Sequence, residues 1–145
     1  MGYEVETITV DGRVTALGSA GPHSLVIDRA VELGGGGLGF NGGQLLNLAV
    51  AACISNDLFR EATRLGLPRR RVRVTARSDY GGSPAVSGPI DYDVEVDGDA
   101  PAEQLDELVR LVDSIGEIPN SVRRGTEVRL GQRTVNGSPH RERAN

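Results

Sequence analysis

The sequence predicts an α+β fold in the order βββ-α-ββ-α-β, with antiparallel strands arranged about one long helix, and three observations carry that reading. Short β-branched runs near the N-terminus are separated by turn dipeptides, a long apolar helix follows a glycine run, and two later strands alternate with opposite charge on one face. With 145 residues the chain suits a single domain with one hydrophobic core. That domain is expected over residues 1–130, with a loose, apolar-poor tail over 131–145.

Tyr3 to Val10 is rich in β-branched residues and ends at Asp11-Gly12, a dipeptide suited to a tight hairpin turn. A return strand is expected from Arg13 to Leu17, then a turn over Gly18 to Pro22, then a third strand over Ser24-Leu25-Val26-Ile27. Residues 34–43 hold seven glycines and read as a flexible loop. From Gln44 to about Leu65 the apolar positions span more than one amphipathic stripe, which predicts a helix buried on most sides and running through the centre of the fold. Gly66 and Pro68 end it.

Arginines at 69, 71, 73 and 77 alternate with Val72, Val74 and Ala76. After a Gly/Ser/Pro loop, Asp91, Asp93, Glu95 and Asp97 alternate with Ile90, Tyr92, Val94 and Val96. Paired antiparallel, the two strands set an arginine stripe beside a carboxylate stripe. Pro101 to Ile115 has a helical start and spacing, a short connector covers Ile118 to Gly125, and Thr126 to Leu130 reads as the last strand.

Composition excludes several functions. All 16 basic residues are arginine, so neither a Schiff-base lysine nor a phosphate-loop lysine is present. The net charge of −4, and the acids facing the arginine stripe, argue against a nucleic-acid partner. No apolar run is long enough to span a membrane and no signal-peptide pattern opens the chain, so a cytoplasmic location is expected. The single cysteine rules out an intramolecular disulfide and a Cys-based zinc cage, and neither a metal nor a cofactor is expected.

Cys53, in Ala51-Ala52-Cys53 on the long helix, is either core filler or a reactive thiol. Asn47, Asn56 and Asp57 are polar on an otherwise apolar helix, with Asn56 at i+3 from Cys53. They either satisfy structural partners or line a pocket. His23 and His140 are too few and too scattered for a catalytic triad or a histidine metal site, and read as surface histidines.

Taken together, Leu33-Gly34-Gly35, the glycine loop, Gln44-Leu45-Leu46 and Ala51-Ala52-Cys53 resemble the OsmC/Ohr family, in which a central helix follows an Asn-Pro-Glu-Gln/Glu-Leu motif and carries a reactive cysteine. Ile118-Pro119-Asn120-Ser121 resembles that family's second motif, Cys-Pro-Val/Ile-Ser. The likeness covers about residues 3–130. It implies an OsmC-like fold, an intertwined homodimer with two sites at the subunit interface, and reduction of organic hydroperoxides by a thiolate assisted by Arg and Glu. Cys53 matches the reacting cysteine, and Arg13, close to the catalytic arginine's place in the first hairpin, is the candidate for it. Ile118 stands where the resolving cysteine would be, Gly43 where the Glu would be and Gly42 where the Pro would be.

Two functions follow. The first is a one-cysteine peroxidase that uses Cys53 and Arg13 and depends on an external thiol, because a sulfenic acid without a resolving cysteine otherwise over-oxidises. The second is a diverged non-peroxidase that binds or transforms another small apolar molecule in a dimer-interface pocket, with Asn56, Asp57 and Phe40 of the glycine loop shaping the site.

Overall fold

A computed structural model describes residues 1–137. Strands β1 (Glu6–Thr9), β2 (Ala16–Ala20) and β3 (His23–Ile27) form an antiparallel meander. The Asp11-Gly12 turn forms where expected, with Gly12 at φ +68. The second turn is shorter than its sequence signal. Gly18 pairs with Leu25 inside β2, and Gly21 (φ +57) with Pro22 alone makes the reversal. The register places Ile8, Leu17 and Val26 side by side on one face of this sheet, and all three are exposed at 64%, 49% and 40%.

The glycine run is not a loose loop. After a 3-10 turn (Val31–Leu33), the chain wraps around the Asp28 carboxylate, which is 2% exposed. That group accepts N–H bonds from Arg29 (2.7 Å), Gly36 (3.0 Å) and Leu38 (3.2 Å) and the Thr15 hydroxyl (2.9 Å). A Cβ on Gly35 would stand 2.1 Å from the Arg29 carbonyl oxygen, and one on Gly39 would stand 2.2 Å from that of Val26. The glycines permit close backbone packing as well as turning. Phe40 then bridges to Ile27 and is hydrogen-bonded to Val26 and Asp28.

Helix α1 (Gly42–Arg64) is bounded by local signals at both ends. Asn41 accepts the Gln44 N–H (2.9 Å) while the Gln44 side chain accepts the Asn41 N–H (3.0 Å), a reciprocal capping box. At the other end Gly66 (φ +66) closes a Schellman turn, with Leu67 N–H bonded to Ala62 O and Gly66 N–H to Thr63 O. Ile54, Leu58 and Ala62 of α1 form the core with Leu108 and Val112 of α2 (Ala102–Ile115). Val72, Val74, Val94 and Val96 cover it from strands β4 (Arg71–Arg77) and β7 (Asp91–Asp97).

Burial on most sides, expected for α1, is not what the single chain provides. Leu48 (46%) and Phe59 (42%) stay exposed, as do Ala49, Ala52 and Asn56. The core takes one flank of the apolar stripe and leaves the other open.

The charge ladder forms as expected. Arg71, Arg73 and Arg77 stand opposite Asp97, Glu95 and Asp91, and Arg77 reaches diagonally to Asp93 at 2.7 Å. Arg69 departs from the stripe because β4 begins only at Arg71. Its guanidinium lies 4.8 Å from the Phe59 ring centroid instead. The intervening loop contains a small hairpin of β5 (Tyr80–Gly81) and β6 (Val86–Ser87).

Two expectations after α2 are corrected. The connector over residues 118–125 is largely a helix, α3 (Glu117–Arg123), in which Pro119 sits in the first turn, where a missing N–H costs nothing. Residues 126–130, expected as the last strand, pair with no other strand among the described residues, and Val128 and Leu130 are 94% and 81% exposed. The alternating pattern is present but no strand edge lies beside it. Among the described residues no helix is long and apolar enough to cross a membrane.

Candidate active site

Cys53 is held by the rigid middle of α1, next to Ile54, which points fully into the core. The one-residue offset turns the cysteine about 100° away from that direction, and its side chain is half-buried. It is not sealed in apolar packing. The Sγ donates toward Asp57 Oδ2 at 3.8 Å, one helical turn on. Asp57, itself 7% exposed, is paired through its other oxygen with the Arg60 guanidinium at 2.8 Å.

A continuous polar row results along one edge of α1. Glu61, also buried, binds Arg60 (3.1 Å) and Arg64 (2.6 Å), and these two guanidiniums hold its carboxyl below the usual carboxylate range. Arg60 is in turn pushed upward by its bond to Glu61 and the charge of Asp57, with Glu117 at the start of α3 adding to the effect. The Arg60 charge therefore serves two carboxylates at once. Asp57 was expected either to satisfy a structural partner or to line a pocket, and the geometry makes it a partner of both the thiol and Arg60.

The other sequence candidates are dispersed. Arg13 lies exposed in the β1–β2 turn, its N–H bonded to Val10 O. Among the described residues no hydrogen bond or ion pair joins it to Cys53. Asn56 is exposed on the open flank of α1. Asn47 accepts a hydrogen bond from the Ser78 hydroxyl at 3.1 Å, a structural tie to the end of β4. Phe40 is 44% exposed and fixed to β3 by its backbone. His23 is an exposed β3 residue, and His140 lies outside the described residues. No cluster of three metal-ligating side chains exists among the described residues.

Three features were not anticipated. Tyr80 packs on the first turn of α1, where a Cβ on Gly43 would meet its ring at 3.1 Å and its hydroxyl oxygen at 3.3 Å. The space that a side chain at position 43 would enter is thus filled from β5. The only signal for this in the sequence is the pair of small residues, Gly42 and Gly43. Next, Tyr92 of β7 donates to Asp113 of α2, which also pairs with Arg123 of α3. Desolvation and Asp113 push the Tyr92 hydroxyl up to about 12, so it acts as a donor and a brace. Finally, a cavity of about 530 Å³ opens beside this brace, lined mainly by Leu46, Val50, Ile90, Pro119 and Val122. Its size and apolar lining suit a small molecule.

The family model described as OsmC-like protein matches residues 34–131. No curated protein matches the chain in sequence. Among solved structures, the chain is similar to an organic hydroperoxide resistance protein OsmC from Legionella pneumophila, with a TM-score of 0.66 at 20% identity, covering 85% of this chain and 90% of that one. It is similar to an OsmC like protein from Mycoplasma pneumoniae, at 0.70 and 14%, covering 87% and 89%. An organic hydroperoxide resistance protein from Elizabethkingia anophelis, crystallised with thiocyanate bound, aligns at 0.67 and 16%, covering 87% and 90%. At these identities the likeness establishes the fold.

Proposed function

Because this chain belongs to the OsmC-like protein family, we propose that it is a one-cysteine, thiol-dependent peroxidase acting on organic hydroperoxides, with Cys53 as nucleophile. The observation that carries this reading is the setting of the thiol. Cys53 is half-buried in a polar row with Asp57 and Arg60 rather than packed as core filler. The chain's likeness to structures of organic hydroperoxide resistance proteins supports the same chemistry.

In this reading the Cys53 thiolate attacks one oxygen of the O–O bond, the bond breaks, and the leaving alkoxide takes up the proton lost from sulfur. The products are an alcohol and a Cys53 sulfenic acid. Two equivalents of an external thiol, as a reducing cytoplasm supplies, return the cysteine to its thiol and release a disulfide and water. Arg13 supplies positive charge to the sulfur and the departing oxygen, and Asn56 and Phe40 border the substrate.

We also propose that the working form is a homodimer. The exposed row Ile8-Leu17-Val26 and the open flank of α1 support this, since a chain that leaves such faces uncovered has surface to bury against a second copy.

The test is consumption of cumene hydroperoxide in the presence of dithiothreitol, followed by intact mass. Rapid loss of peroxide that disappears in Cys53→Ser is expected. No loss, with an unmodified thiol, overturns the reading. The second reading, binding of a small apolar molecule without peroxide chemistry, is favoured by the cavity of about 530 Å³ and by Gly43 and Ile118 standing where the resemblance would place the Glu and the second cysteine. Saturable displacement of an apolar fluorescent dye, unchanged in Cys53→Ser, would favour it.

A further inference from the structure

The chain holds two asparagines followed by glycine, Asn41-Gly42 and Asn136-Gly137. This dipeptide is chemically labile, because a glycine without a side chain lets its backbone nitrogen reach the side-chain carbonyl carbon of the preceding asparagine. Two conditions must be met. The intervening peptide has to turn that nitrogen towards the side chain, and the side-chain amide has to be free to meet it. Asn47, Asn56 and Asn120 are each followed by a residue with a side chain and lie inside α1 or α3, whose regular backbone forbids the turn.

The two Asn-Gly pairs are identical in composition and opposite in surroundings. The Asn41 side-chain oxygen accepts the Gln44 N–H (2.9 Å), its own N–H donates to the Gln44 side chain (3.0 Å), and its carbonyl oxygen accepts the Leu45 N–H (3.0 Å). Its ψ of 171° sets the entry to α1, of which Gly42 is already the first residue. Swinging the Gly42 nitrogen towards the side chain would therefore break the capping box. Asn136 carries no such restraint. It is exposed, and among the described residues no hydrogen bond engages the backbone of residues 127–137.

We propose that Asn136 is the chain's site of spontaneous deamidation and that the capping box of α1 shields Asn41 from the same reaction. The Gly137 nitrogen bonds to the Asn136 Cγ, the Cγ–Nδ2 bond breaks, and ammonia leaves with the proton from the Gly137 N–H. The succinimide ring that results takes up one water and opens to aspartate or isoaspartate, with nothing oxidised or reduced. At neutral pH the new carboxyl adds one negative charge to the net −4. The difference between the sites matters to the fold. Isoaspartate adds a carbon to the main chain, which at position 41 would displace the cap that starts the helix carrying Cys53, whereas at position 136 it alters a segment that pairs with nothing among the described residues. The proposal stands independently of the peroxidase reading.

The test is incubation of the full chain at pH 8 and 37 °C, folded and in urea, followed by digestion at acid pH and peptide mapping by mass, which reads a gain of one mass unit at each asparagine. In urea both sites are expected to convert at comparable rates, since the dipeptide is the same. In the folded protein Asn136 is expected to keep its rate, while Asn41 slows by at least about tenfold because its reaction waits for the cap to open. Asn41 converting as fast as Asn136 in the folded protein overturns the shield. An Asn136 that converts far more slowly in the folded protein than in urea overturns the assignment of the site.

Discussion

Asp28 shows how much one residue can organise. The N–H groups of Gly36 and Arg29, followed by the Thr15 hydroxyl and the Leu38 N–H, hold its carboxyl below the usual carboxylate range despite its burial. Its contribution to stability is thus fully present above the unfolded value near about 3.9 and is lost as pH falls through the lower folded value. Asp28→Asn is expected to lower the melting temperature by several degrees at pH 7, and that deficit should shrink on acidification towards pH 3, which thermal melts at the two pH values would reveal. None of this was legible in the sequence, where Asp28 ends an apolar run and seven glycines lie close behind. A glycine run signals freedom to turn. The close approach of Gly35 and Gly39 to backbone oxygens depends on residues far along the chain, which no local pattern encodes.

At the scale of elements, α1 was the most readable part, because its apolar spacing and its Gly66-Leu67-Pro68 stop are local signals, although the Asn41 cap that starts it lay inside what read as a loop. The opposed charge of β4 and β7 was equally readable, since period-two alternation fixes both faces once the strands pair. Helix α3 and the unpaired residues 126–130 were misread for opposite reasons. Pro119 reads as a breaker unless its place in the first turn is known, and strand alternation needs a neighbouring edge to become a strand. The two flanks of α1 give the sharpest contrast. Leu58, at 1% exposure, fills the core, and Leu58→Ala is expected to cost about 2–5 kcal/mol in chemical denaturation. The open flank contributes far less within a single chain.

For the whole molecule, the α+β class, the three opening strands followed by a long helix and the place of the lone thiol on that helix could be read from the sequence. The exposure of the meander could not. The first three strands bury almost nothing against the rest of the chain, for only Ala16 among their residues is buried. The proposed homodimer would cover this surface. Sedimentation velocity is expected to give a dimer at micromolar concentration, and Leu48→Asp, on the exposed flank of α1, is expected to shift the protein towards monomer with little change in helicity. A monomeric wild-type protein would remove the dimer proposal.

The capping box and the Schellman turn of α1 also bear on the order in which the chain acquires its shape. Both are written within a few residues of the helix they bound, so the helix needs no distant contact to find its ends. The hairpin turn between β2 and β3 is equally short-range, whereas β4 and β7 must search for each other across the intervening hairpin. Such a chain has its early folding steps in α1 and the meander, on the microsecond scale of helices and hairpins. The later steps are pairing of the charged strands and, in the proposed homodimer, encounter between copies, and only the second of these would slow on dilution.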